Sequence, residues 1–153
     1  MVITNIIFDY AKGRYVEKYM LPVGGDNIVV VLLQASGLQA DATLRTNQYL
    51  SGLLSAGNTE ATFTNYARKV LSASDITVSI NTGTHVNTVD ISDQVWSAAG
   101  GAVNNSIGAL ITCYRPTSAS TDAQILCLTK HDYVISTTGG NLTATIPSIG
   151  TAT

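Results

Sequence analysis

The stretch NIVVVLLQ, from Asn27 to Gln34, limits the possible folds more than any other part of this chain. It contains three consecutive valines and no charge. β-Branched and aliphatic side chains favour extended backbone, and a strand that is apolar at every position must be covered on both faces. Such a strand lies inside a sheet. The rest of the chain therefore has to supply neighbours for its edges and layers for its faces.

Candidate neighbours follow in sequence. Tyr66 to Ser72 and Ile76 to Ile80 read as strands, the second alternating apolar and polar with period two. Asn81 to Thr84 is a turn and His85 to Ile91 returns as a strand. The register of this hairpin has two solutions. A two-residue loop places Val78 opposite Asn87, and a three-residue loop places Ile80 opposite Val86. Ile107 to Arg115 and Ala123 to Lys130 flank the turn PTSASTD; if this hairpin is symmetric about Ser118 to Thr121, Cys113 and Cys127 face each other. A disulfide there is geometrically open, but two packed thiols suit a reducing compartment. Tyr133 to Ser136 is a short strand, and Leu142 to Ile146 is the last, ended by Pro147 with a mobile tail beyond it. The fold class is mainly β: an antiparallel β-sandwich or partly closed barrel of about eight strands, with short helices in the N-terminal third. Trp96, Cys113, Tyr114 and Cys127 are the expected core anchors.

Two segments fall outside this pattern. Residues 1–22 form an N-terminal arm or short helix, and residues 23–153 form a single β domain. Tyr10, Arg14, Tyr15 and Tyr19 are spaced to lie along one side of a helix that Gly13 weakens. Such a helix either reaches a neighbouring subunit or closes its own sandwich. In the long segment after Gly37, Leu44, Leu50, Leu53 and Leu54 allow one or two short helices, with Asp41 and Ser51 as caps. Long loops often bind partners, so Arg45 and Tyr49 join Tyr10, Arg14, Tyr15 and Tyr19 as expected interface residues.

Composition excludes several functions. Charged residues are only 12% of the chain and the net charge is −2, which opposes binding to nucleic acid by phosphate neutralisation. No apolar run approaches the roughly 20 residues of a membrane span, and no secretory signal is read, so cytoplasmic synthesis is expected. No nucleotide-binding glycine motif and no zinc or calcium spacing occurs, so no cofactor and no metal are expected. His85 sits beside a turn. His131 precedes Asp132, but adjacent strand residues point to opposite faces, and a strand-end turn is the expected setting. Asp90 and Asp93 read as turn-forming residues. No catalytic constellation emerges, and an enzyme is not expected.

The segments Thr59-Glu60-Ala61, Tyr66-Ala67-Arg68-Lys69-Val70-Leu71, Asp90-x-x-Asp93-x-x-Trp96, Ala109 to Tyr114, Thr121-Asp122 and Leu128-Thr129-Lys130-His131-Asp132 occur in this order. Together they resemble a family of small tailed-bacteriophage virion proteins over roughly residues 27 to 147. That family carries an NE…GYxRK segment, D-x-x-D-x-x-W, an apolar strand ending in tyrosine, and a Pro-Leu-Thr-x-His-Asp-like segment. The chain departs from it at Asn65, where glycine is common, and at Cys127, where proline is common. The resemblance implies a virion structural protein of the head decoration or cement type. Its partners would be the major capsid protein and copies of itself, as a homotrimer on the capsid surface. A tail or baseplate component, or a glycan-binding module using Trp96 or Tyr114, are the other readings.

Overall fold

The computed structural model describes residues 5–20, 22 and 24–152. It is mainly β. Strands β1 (Asn5–Ile7), β2 (Asn27–Gln34), β3 (Lys69–Leu71), β4 (Ile76–Asn81), β5 (Val86–Trp96), β6 (Ser106–Arg115), β7 (Leu126–Ser136) and β8 (Leu142–Ala152) form two antiparallel sheets. One has the order β1-β7-β6-β2-β3 and the other β4-β5-β8. Neither closes into a barrel, and a continuous buried cluster joins their inner faces as in a sandwich. Short helices α1 (Tyr15–Met20), α2 (Asp41–Leu44) and α3 (Leu50–Ser55) all lie before β3.

β2 is interior, between β6 and β3, and Ile28 to Leu33 are all buried. Its free edge beyond β3 is closed by Thr59 to Ala61, where Gln34 and Ala61 amides pair with Thr59 and Leu32 carbonyls. Successive residues of β7 show what covers the two faces of this sheet. Thr129 meets Tyr19 of α1 on one face, while Lys130 meets Asp41 of α2 on the other. The long segment after β2 is thus the second layer, and Leu44, Leu50, Leu53 and Phe63 carry its buried side chains. Helix α1 lies on the first face and packs against β4 and β5.

Several local expectations change. Tyr15 and Tyr19 are 4% and 2% exposed in their own chain's core, not at a subunit contact. Neither Asp41 nor Ser51 caps a helix: the N-caps are Ala40 and Tyr49, without side-chain bonds. The first amides of α3 instead donate to the Ile125 and Asp122 carbonyls, so tertiary structure replaces the cap. The strand predicted from Tyr66 shrinks to Lys69–Leu71, because the Tyr66 amide turns back to the Phe63 carbonyl after a left-handed Asn65 (φ 68°). In the β4–β5 hairpin Asn81 pairs with Val86, Val78 with Val89 and Ile76 with Ile91, which puts apolar side chains opposite each other at the inner end and rejects both shorter loops.

Asp90 and Asp93 lie within β5, at two register shifts against β8, and not in a turn. His131 is inside β7, which runs on unbroken through Tyr133 to Ser136. β8 continues past Pro147 to Ala152, which pairs with Val86. Proline is tolerated there because β8 is an edge strand that lacks a neighbour on one side to receive the missing N–H.

Gly108 sits at a register shift in β6, where β2 runs into the following loop. A Cβ at this position would lie 2.8 Å from the Ala35 Cα and 3.0 Å from the Leu38 side chain. Backbone cannot move aside as a flexible side chain can. Gly108→Ala is expected to destabilise the fold by about 1–3 kcal/mol, measured as a lower urea midpoint with an unchanged slope; a midpoint equal to the wild type would refute this packing.

Candidate functional site

Many of the residues that carry the family resemblance come together, with others, as three polar clusters and one buried indole, while Asp90 and Asp93 stand exposed on β5. The first cluster ties three distant loops. Arg68 donates to both carboxylate oxygens of Glu60 (2.8 and 2.7 Å) and both of Asp122 (2.6 and 3.0 Å). The Tyr66 hydroxyl donates to Glu60 at 2.8 Å and accepts the Leu32 amide at 3.2 Å, so the cluster is anchored to β2. Hydrogen bonds to Glu60 and then Asp122 hold the Arg68 guanidinium even more firmly protonated than usual. The Asp122 carboxyl is held below its ordinary range by Arg68.

In the second cluster, nearly fully buried Lys130 bonds Asp41 at 2.8 Å and Asp132. Burial alone would push the Lys130 ammonium down, but its bonds to Asp132 and Asp41 outweigh this and hold it above its usual range.

The third cluster lies within the core. Tyr19 Oη meets Thr112 and Thr129, those two threonines meet each other, and Thr129 Oγ1 lies 2.9 Å from His131 Nε2. His131 Nδ1 lies 3.0 Å from Asn5 Oδ1 on β1. Asn5 Oδ1 accepts the Nδ1 proton, which leaves Nε2 to accept the Thr129 hydroxyl. Burial, and then nearby Lys130, lower the pKa of His131 to about 4, so the ring is neutral.

A hydroxyl, an imidazole and an orienting amide in series have the connectivity of a nucleophile, its base and its support. Access decides against that role. Thr129 is 0% exposed, and its oxygen is enclosed by Tyr19 and Thr112. The cluster joins α1, β6, β7 and β1 into one unit, and each buried side-chain donor or acceptor among the described residues has a partner.

Trp96 is 2% exposed; its indole N–H donates to the Ala67 carbonyl at 2.8 Å, and the Lys69 ammonium lies 5.3 Å from the ring centroid. It is therefore closed to a stacking ligand. Cys113 and Cys127 are directly paired in register, fully buried and free. Burial and the neighbouring sulfur raise the pKa of Cys113. Tyr114 is only half-buried, with its hydroxyl donating to Asp26 at 2.9 Å and Lys18 lying over its ring. The two departures from the family pattern have local explanations. Asn65 occupies the left-handed region that favours glycine, and asparagine is the next most tolerant residue there. The Cys127 amide donates to the Gln48 carbonyl, a bond proline cannot make.

Of the expected interface residues, Tyr10 (53% exposed), Tyr49 (38%) and Arg14 are on the surface, and Arg45 is half-buried. The segments that carry Tyr10, Arg45 and Tyr49 run side by side along one edge of β7. Asp9 binds Arg45 through both its amide and its carboxylate, while Phe8, Gln48 and Tyr49 all hydrogen-bond or bridge to the same edge of β7. Sequence reading missed the pairing of Thr129 with His131 and of Lys130 with Asp132, although period-two alternation along TKHD already puts each pair on one face.

Among the described residues no three His, Cys, Asp or Glu side chains gather as a metal site, and no helix is long and apolar enough to cross a membrane. Two measurements test the clusters. Arg68→Met, which leaves Glu60 and Asp122 without their shared cation, is expected to cost about 1–3 kcal/mol in urea unfolding. His131 has a pKa of about 4 folded against 6.5 for the free side chain. Above pH 6.5 both states are neutral and the contribution is complete. Between 6.5 and 4 only the unfolded chain takes up the proton, so stability should fall by up to about 1.4 kcal/mol per pH unit. His131→Gln should flatten that slope, and an equally steep slope in the variant would assign it elsewhere. Compared with family models, curated proteins and solved structures, the chain matches none of them.

Proposed function

We propose that this chain is a bacteriophage virion structural protein of the capsid decoration or cement type, which binds the outer head lattice through its surface and stabilises it. The observation that carries this reading is how the resemblance residues are used. Glu60, Tyr66, Arg68, Asp122, Trp96, Lys130 and Asp132 all make intramolecular contacts that brace loops against the sheets. Asp90 and Asp93 of the same motif set stand exposed on β5, but a set used mostly for bracing suits a protein that acts by shape and adhesion.

On this reading the partners are the major capsid protein and further copies of the chain, arranged as a homotrimer. Tyr10, Arg14, Arg45 and Tyr49 are the contact residues. Tyrosine and arginine are well suited to that role because they combine apolar area with directional hydrogen bonds. Tyr15 and Tyr19 no longer belong to the contact set, since both are buried within the chain.

Electron cryomicroscopy of the phage particle that carries this chain is the direct test. The expected result is density for the sandwich on the outside of the head; density on the tail or baseplate, or none in the virion, would overturn the proposal. The double substitution Tyr10→Ala with Tyr49→Ala should lower head occupancy roughly tenfold or more while leaving the urea midpoint unchanged.

A further inference from the structure

Among the described residues the two open sheets have four edge strands, and exposed edges invite pairing with another chain unless something blocks them. Three of the four are blunted. β1 and β3 have three residues each, and β3 includes Lys69. β8 is interrupted by Pro147 and has an irregular register, and its Thr143 carbonyl accepts the Tyr133 hydroxyl at 2.7 Å. Among the described residues the fourth edge has no such device. β4 is six residues, ITVSIN, in unbroken register with β5, without proline or charge.

We propose that β4 is a self-association edge and that its occupant is β4 of a second copy, paired antiparallel about a two-fold axis at Val78. The sequence of the strand supports this particular occupant. Ile76, Val78 and Ile80 share the inner face, because Ile76 and Val78 pair with buried Ile91 and Val89. Thr77 and Ser79 share the outer face. With Val78 opposite its own copy, Ile76 meets Ile80 of the second molecule and Ile80 meets Ile76, so every inner-face pair is apolar. Thr77 then meets Ser79 on the outer face, where hydroxyl pairs are favourable. A shift of one residue would set apolar against polar throughout.

Charge agrees with this pairing. A chain of net charge −2 repels itself in general, yet Ile76 to Val89 contains no Asp, Glu, Lys or Arg, so two copies meet here without opposing like charges. The surface exposed now is also what the pairing would cover. Ile80 is 60% exposed, and Ile76 and Val78 line a groove of about 210 Å³ with Tyr19, Met20, Pro22 and Ala73. In the paired state Ile80 of the second copy, opposite Ile76, lies at this groove. A six-residue pairing is smaller than the roughly 1,200 Å² of a standard interface, so the dimer is concentration-dependent. The inference does not depend on the virion proposal: the trimer of that reading uses Tyr10, Arg14, Arg45 and Tyr49, and the β4 pairing is a separate two-fold contact.

Cysteine cross-linking of the full chain reads the register directly. Val78→Cys, oxidised with copper phenanthroline, is expected to give a covalent dimer, while Thr77→Cys and Ser79→Cys, which are not opposite themselves, should remain largely monomeric. Sedimentation across a concentration series should show the wild type associating and Ile80→Lys shifted toward monomer. At 60% exposure Ile80 tolerates the change, so Ile80→Lys should keep the wild-type circular dichroism and urea midpoint. Cross-linking equal among the three cysteine variants, or a wild type that remains monomeric at all concentrations, would overturn the proposal.

Discussion

The structure depends on one requirement, that β2 be dry on both faces. Six consecutive buried aliphatic residues give a large apolar area, at roughly 25 cal/mol for each Å² withdrawn from water. Exposing either face would forfeit about half of it. α1 and the three-stranded sheet cover one side, and the segment from residue 35 to residue 65 covers the other. That segment is too irregular to form a layer by its own hydrogen bonds. Contacts to β7 and to the connection before it hold it in place: the Cys127 amide to the Gln48 carbonyl, Lys130 to Asp41, and the α3 amides to the Ile125 and Asp122 carbonyls.

These contacts show how a chain so poor in charge uses its partly buried charges. Arg68 and Lys130 each hold two carboxylates between elements that are far apart in sequence. A partly buried ion pair contributes little net stability, because desolvation offsets the attraction. Its absence is costly, however, and it accepts only one arrangement of its partners. Arg68 and Lys130 thus fix where the loops sit, while apolar burial supplies most of the stability. The Tyr19–Thr112–Thr129–His131–Asn5 series does the same for the N-terminal segment, by giving α1 and β1 polar partners that only one docking geometry satisfies.

The sequence revealed what depends on local pattern. NIVVVLLQ can hardly be anything but an interior strand, and ITVSI shows its two faces by simple alternation. The facing of Cys113 and Cys127 followed from the symmetry of a hairpin turn. What it concealed depends on position in the sheet or on distance along the chain. Pro147 reads as a strand end because proline usually is one, and only the edge position of β8 makes it harmless. Asp90 and Asp93 read as turn residues because the register shifts that accommodate them are set by β8. Arg68 and Asp122, 54 residues apart, carry no mutual signal in a single sequence. The same holds for Tyr15 and Tyr19, whose spacing shows that they share a helix face but not whether that face meets this chain or another.

The thiol pair gives the molecule a built-in reporter. Cys113 and Cys127 lie on central strands β6 and β7 and are wholly shielded from water, and the pKa of Cys113 is raised by its surroundings. An external reagent must wait until the sheet opens. Labelling of these sulfurs therefore follows the opening of the central strands and is insensitive to fraying at the periphery. On the proposed virion reading, a particle-bound copy and a free copy would label at different rates if attachment suppresses that opening, so the same two atoms that help fill the core would report how firmly the domain is clamped.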